Sequence, residues 1–218
     1  MRGVCCSTYQ ERLNLMRRLL ILLPFLVISS TMGQIRHSSD DSGFTSEELN
    51  LIHSAGTIMR VLTADDIKDL EVLRAESTDL PVKVLESESY KVLTDQKLAT
   101  VTHPSQDGVG IAAPQVGLNR RVVAVQRFDK ENAPFEVYPN IRIVWASDSL
   151  VRGPEGCLSV PNRRGEVMRS QEIIIEYADI TRLGKSDFMV RDTVRDFTAV
   201  IFQHEIDHLD GVLYIDKL

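Results

Sequence analysis

Cysteine is scarce in this chain of 218 residues: there are three, of which Cys5 and Cys6 are adjacent near the start and only Cys157 is internal. That count excludes a disulfide-stapled scaffold. Positive charge is also short, with 25 Lys+Arg against 31 Asp+Glu and a net charge of −6. Without a polybasic surface, direct nucleic-acid binding is not expected. Long apolar runs are missing, since the longest, Leu19 to Ile28, falls well below the roughly 20 residues that span a bilayer. No solenoid-type repeat is visible.

What remains is an ordinary globular composition, 43% hydrophobic and 26% charged, long enough for one well-buried domain. The apolar run follows Arg17-Arg18 and precedes small and polar residues up to Gly33. Residues 1–33 therefore read as a signal-peptide-like targeting segment, with cleavage before Gln34 and no stable transmembrane span in the mature form. Export or membrane association is the expectation for location. An organelle presequence is one alternative, and a cytoplasmic protein whose true start is Met16 is another. Residues 34–45, rich in Ser and Asp, read as a flexible linker, and 46–218 as a single catalytic domain. Nothing in the sequence speaks to oligomeric state.

Within 46–218, Ser46 with Glu47 and Glu48 predicts a helix start, with Leu49, Ile52 and His53 on one face. A second helix is expected over Leu85–Thr100, ending before His103-Pro104. Short β-rich runs follow: Arg121–Phe128, Ile141–Trp145, Glu172–Tyr177 and Phe188–Val194. A last helix is expected between a capping Asp196 and a closing Gly211. Its apolar residues lie nearly all round, with Phe197, Val200, Ile201, His204 and His208 on one face and Phe202, Ile206 and Leu209 on another. Such a helix is buried. Helices early, strands in the middle and a helix at the end describe an α+β domain.

That last helix contains His204-Glu205-Ile206-Asp207-His208. Histidines four apart project from one side of a helix and can grip one metal ion. Burying two imidazoles and a carboxylate without a partner is costly, which favours a metal over two core histidines. Only ten residues follow His208, too few for the second helix of a zincin. The third ligand is therefore sought upstream, at Cys157 in the turn-rich segment GPEGCLSVP. One thiolate and two imidazoles leave a fourth position open, as catalytic sites do. The stretch GVGIAAPQVG, Gly108–Gly117, lacks the third glycine and the lysine of nucleotide loops. Its glycines allow a close backbone approach, and the Gln115 amide can donate to a developing oxyanion. Asp207 is expected to orient rather than react, paired with Arg142, Arg152 or Arg191. An HExxH metallopeptidase and a metal-binding module without catalysis stand as competing readings.

Taken together, Gly108-Val109-Gly110-Ile111-Ala112-Ala113-Pro114-Gln115, Glu155-Gly156-Cys157-Leu158-Ser159 and His204–His208 resemble, in this order, the three motifs of peptide deformylases. The resemblance covers roughly residues 65–218. It implies an α+β fold of mostly antiparallel sheets around a central buried helix. It implies one divalent metal on Cys157, His204 and His208, iron(II) natively, with zinc, nickel or cobalt able to substitute. The implied reaction removes the formyl group from N-formylmethionine of nascent chains or formylated peptides. Glu205 would move the protons, and the Gln115 amide with the Leu158 backbone N–H would hold the oxyanion. Val109, Gly110, Glu155, Val200, Ile201 and Arg164 would border the substrate.

Overall fold

The computed structural model describes residues 43–218. The signal-like segment 1–33 and linker residues 34–42 lie outside the described residues. The last linker residues are packed. Phe44 is buried in an apolar cluster with Leu49, Ile52 and Val84, and Thr45, not Ser46, caps α1 (Ser46–Ser54) in a reciprocal box with Glu48.

A short helix that the sequence reading did not anticipate, α2 (Ile67–Leu73), starts on Asp66, whose carboxylate accepts from two backbone N–H groups. The expected second helix begins three residues late. Val82–Glu86 form a 3-10 turn, Ser87 caps α3 (Glu88–Val101), and the helix ends ahead of His103-Pro104 as expected. Among the described residues no helix is long and apolar enough to cross a membrane.

Eight strands follow, all pairing antiparallel. In the first sheet β1 (Gly110–Ala112), β2 (Val122–Gln126) and β3 (Phe135–Pro139) run in the order β1-β2-β3. In the second, β4 (Arg142–Ala146), β7 (Glu172–Ala178) and β8 (Met189–Arg195) run in the order β4-β7-β8. β5 (Leu150–Cys157) and β6 (Val160–Ser170) form a two-stranded ribbon. The β-branched runs fix β2, β4, β7 and β8 within one or two residues of expectation, because such side chains suit a pleated, half-buried surface. The ribbon corrects the sequence reading: GPEGCLSVP is not a free turn-rich loop but strand, two-residue turn and strand.

The last helix, α4 (Asp196–Leu209), fills the space between the two three-stranded sheets. Ala199, Ile201, Phe202, Ile206 and Leu209 pack with Ala112, Val123 and Val125 of the first sheet and with Ile173, Ile175 and Val194 of the second. The α+β architecture around a buried central helix is thus as expected. Two details differ. Asp196 is not a capping side chain: its N–H donates to the Gln171 carbonyl, and its φ of 54° turns the chain from β8 into the helix, with Arg195 at the cap position. Phe197 is 55% exposed, so the helix's first turn emerges from the core. At the other end Gly211 has a φ of 70°, and a Cβ there would lie 2.3 Å from the Arg74 carbonyl oxygen. Only glycine closes this helix without moving that backbone.

Candidate metal centre and active site

The i, i+4 spacing places the His204 and His208 rings 5.1 Å apart on α4. The ribbon brings the third group. Cys157 ends β5, and its Sγ lies 3.1 Å from His208 Nε2. Cys157, His204 and His208 offer ligand atoms that all lie within 4.8 Å of one another. The sulfur also receives the Ser159 N–H at 3.4 Å and the Gln115 amide at 3.6 Å.

Behind the histidines lies a chain of ion pairs. His204 Nδ1 is 2.8 Å from Glu155 Oε2, an arrangement that commits Nδ1 to the carboxylate and leaves Nε2 for the site. Arg169 grips Glu155 with two hydrogen bonds, at 2.7 and 2.9 Å, and reaches Asp207 with a third at 2.5 Å. Lys217 Nζ donates to Asp207 at 2.7 Å from the solvent side. Asp207 is thus held in ion pairs, but with other cations than expected: Arg142 pairs with Asp79, Arg152 with Glu166 and Arg191 with Glu176. Arg169 faces inward because alternation along β6 turns its side chain toward α4. That alternation was the signal that could have found it.

These contacts shift the titrations. Burial works to raise Glu155, but Arg169 and His204 hold its carboxyl down at about 2. Burial opposes a charge on His204, while Cys157 and Glu155 draw its pKa up to about 10, so a cation bound there competes with a proton. Burial holds His208 well below the usual imidazole range and keeps the ring neutral.

Glu205 stands on the inner side of the same turn, 4% exposed, with Oε2 buried and without a hydrogen-bond partner. Burial pushes its carboxyl up to about 7. A Cβ at Gly110 would sit 2.5 Å from Glu205 Oε1, so glycine here lets β1 pass directly over the carboxylate. The Gln115 side chain is 1% exposed and fixed in orientation. Its Oε1 accepts the Ala112 N–H at 2.8 Å, which turns the amide donor toward Ser159 Oγ and Cys157 Sγ. Within Gly108–Gly117, β1 is followed by a 3-10 turn, Ala113–Val116, and that turn carries Gln115.

A cavity of about 890 Å³ opens over these groups. Val109, Gly110, Glu155, Val200, Ile201 and Arg164 all line it, as do Gln115, Cys157, Leu158, His204 and Glu205. Arg164 is exposed at the rim beside Arg163, which lines the cavity too. Phe197 lines the cavity as well, from the exposed first turn of α4.

Lys97, on α3 behind the site, is fully buried, with Nζ donating to the Val122 carbonyl at 2.7 Å and its charge felt by Glu205. Burial lowers its pKa from 10.5 to about 7. Between these two values the unfolded chain holds a proton that the folded chain lacks, so this residue makes stability rise with pH across that window. Lys97→Met is expected to raise the unfolding free energy at pH 7 by about 2–4 kcal/mol, net of about 1 for the lost hydrogen bond. It should also flatten the rise toward pH 10. Urea melts of both proteins at several pH values measure this, and a variant less stable than the parent at pH 7 would contradict it.

The polypeptide deformylase family model matches residues 59–218. A peptide deformylase 2 from Nostoc sp. is 43% identical over 143 residues, covering 63% of this chain and 76% of that one. A peptide deformylase from Caulobacter sp. is 38% identical over 163 residues, covering 74% of this chain and 88% of its own length. The Met-Ala-Ser-bound crystal structure of a class I type b peptide deformylase from Acinetobacter baumannii is 32% identical, with a TM-score of 0.63 over 74% of this chain and 98% of that one. The matched span takes in the ribbon, the central helix and every residue of the cysteine–histidine cluster, and the chain belongs to the polypeptide deformylase family.

Proposed function

We propose that Cys157, His204 and His208 hold the one divalent metal ion of this metal-dependent hydrolase, which removes the formyl group from N-terminal formylmethionine. The observation that carries the assignment is one thiol and two imidazoles within 4.8 Å, beside a buried carboxylate, under one cavity. The donor set fits the ion: the neutral His208 offers Nε2, Glu155 commits the other face of His204, and backbone and amide N–H groups surround the sulfur. Thiolate and imidazole suit zinc, cobalt and nickel as well as iron(II). Iron(II) as the native ion follows from the family resemblance.

When bound, the ion supplies the acidity that makes a water molecule a nucleophile near neutral pH. The protein's own groups do the rest. Glu205, unpartnered at Oε2, takes the proton of the attacking water and hands it to the departing amine. Gln115, with its amide turned outward by Ala112, and the Leu158 N–H in the ribbon turn receive the charge that grows on the formyl oxygen. Val109, Val200 and Ile201 present apolar surface to the first side chain, and Arg164 at the rim meets the peptide beyond it. Met-Ala-Ser, bound in the Acinetobacter relative, has the form of the peptide such a reaction leaves.

The test is formate release from a formyl-Met-Ala-Ser peptide by the metal-loaded protein. Release is expected to stop on chelation and to return with iron(II), nickel or cobalt. A folded protein carrying one metal per chain and releasing no formate would refute the proposal. We propose further that residues 1–33 direct export, on the basic pair and short apolar run. N-terminal sequencing of the protein from its host should find Gln34, and an intact N-terminus at Met1 or Met16 would overturn that.

A further inference from the structure

We propose that the catalytic cavity continues beneath the β5–β6 ribbon into an apolar chamber that accepts straight first side chains longer than that of methionine, and that Gly153 keeps the chamber open. The inference rests on the deformylase reading above. Along β5 the odd-numbered residues Val151, Gly153 and Glu155 are partly or fully buried, while Leu150, Arg152, Pro154 and Gly156 are exposed. Strand alternation thus turns Val151, Gly153 and Glu155 to the face that meets α4. Register sets Val167 opposite Gly153 and Arg169 opposite Val151 on the same face.

The inner row of β5 therefore has a gap between Val151 and Glu155. A Cβ built on Gly153 meets nothing within 4 Å, so the gap is real space and not filled from across the ribbon. It belongs to a cavity of about 300 Å³ bounded by Val151, Gly153 and Val167 from the ribbon and by Phe197 and Val200 from α4. Pro154, Glu155, Phe197 and Val200 line both this chamber and the site cavity, so the two meet at these four residues.

Chemistry then selects the occupant. The charged groups at the chamber's edge, Glu155 and Arg169, are bonded to each other at 2.7 and 2.9 Å. The Gln171 side chain, exposed where it borders the chamber, accepts at Oε1 from Ser149 Oγ at 2.6 Å. Asp196, the one further charged residue of the lining, is exposed to water like Gln171, so the buried part of the chamber holds no unpaired charge, and the rest of the lining is aliphatic, aromatic or glycine. The chamber lies between a ribbon and a helix, a slot whose shape suits an unbranched chain. An apolar chain reaching past Val200 enters space that a side chain at position 153 would otherwise occupy.

The experiment is a series of formylated tripeptides, formyl-X-Ala-Ser, in which X is methionine, norleucine or its straight-chain homologues of six and eight side-chain carbons. The parent enzyme, Gly153→Val and Gly153→Ile are compared, with thermal melts to establish folding. For the parent, kcat/KM should rise about three- to fourfold per added methylene until the chamber is full. In both variants the rise should be lost, with the eight-carbon substrate falling below methionine. If the parent turns over formyl-Met but loses kcat/KM with each added carbon, the chamber is refuted and the deformylase reading stands. A rise that persists in folded Gly153→Ile refutes the role of Gly153. No formate from any peptide, formyl-Met included, would overturn both readings.

Discussion

Glu205→Gln, loaded with metal, is expected to release formate about 10²- to 10⁴-fold more slowly than the parent, with metal content and KM nearly unchanged. The substitution keeps the shape of the side chain and the close passage of Gly110, which tolerates no added atom beside Oε1. It removes only the ability to accept a proton at a group that is not itself in the cysteine–histidine cluster. The parent carboxylate is 4% exposed and Oε2 has no hydrogen-bond partner, a costly position that stabilises nothing in the fold. The amide should therefore melt no lower than the parent. Metal analysis, a thermal melt and steady-state kinetics on one preparation distinguish the roles. A slow variant that has also lost its metal would make Glu205 structural. A variant of full speed would remove it from proton transfer altogether.

How much of this was legible follows from how far apart the partners lie. The histidine pair and Glu205 occupy one helical turn, so local periodicity reveals them. Cys157 was found by elimination, as the one internal thiol. Its setting was not: LVRGPEGC mixes glycine, proline and charge in a way that reads as turn. It becomes a strand only because β6 supplies its partner. Arg169 was missed because its meaning is entirely tertiary, its partners being 14 and 38 residues away. The three arginines considered for Asp207 are all held by nearer carboxylates at the surface. Lys97 looked like one more polar residue of a helix, and nothing local announces that α3 buries it against β2. The buried gap at Gly153 exists only once the ribbon is folded onto α4.

Arg169→Met is expected to destabilise the protein by about 3–5 kcal/mol and to weaken metal binding by about 10- to 100-fold. Arg169 is 3% exposed and is the cation between two carboxylates, with three hydrogen bonds divided between Glu155 and Asp207. Methionine matches the length of the stem but leaves the buried Glu155 charge uncompensated. Lys217 still reaches Asp207, whereas Glu155 keeps only His204. Glu155 then has only His204 to keep it ionised, and whatever fraction is protonated holds Nδ1–H of the first histidine less strongly. The consequence in acid has a definite sign. In the parent, Glu155 is depressed from 4.5 to about 2, so the stability it contributes is present above pH 4.5 and is lost as pH falls from there toward 2. The variant, having already lost that contribution, should show a shallower decline over the same window. Arg169→Met combined with Asp207→Asn should cost less than the sum of the two single changes, because both act on one network. Urea melts at pH 7 and pH 3, with metal titration against a competing chelator, test the pair of effects together. A loss below about 1 kcal/mol with unchanged metal affinity would mean that the ion chain is incidental and that packing alone orients His204.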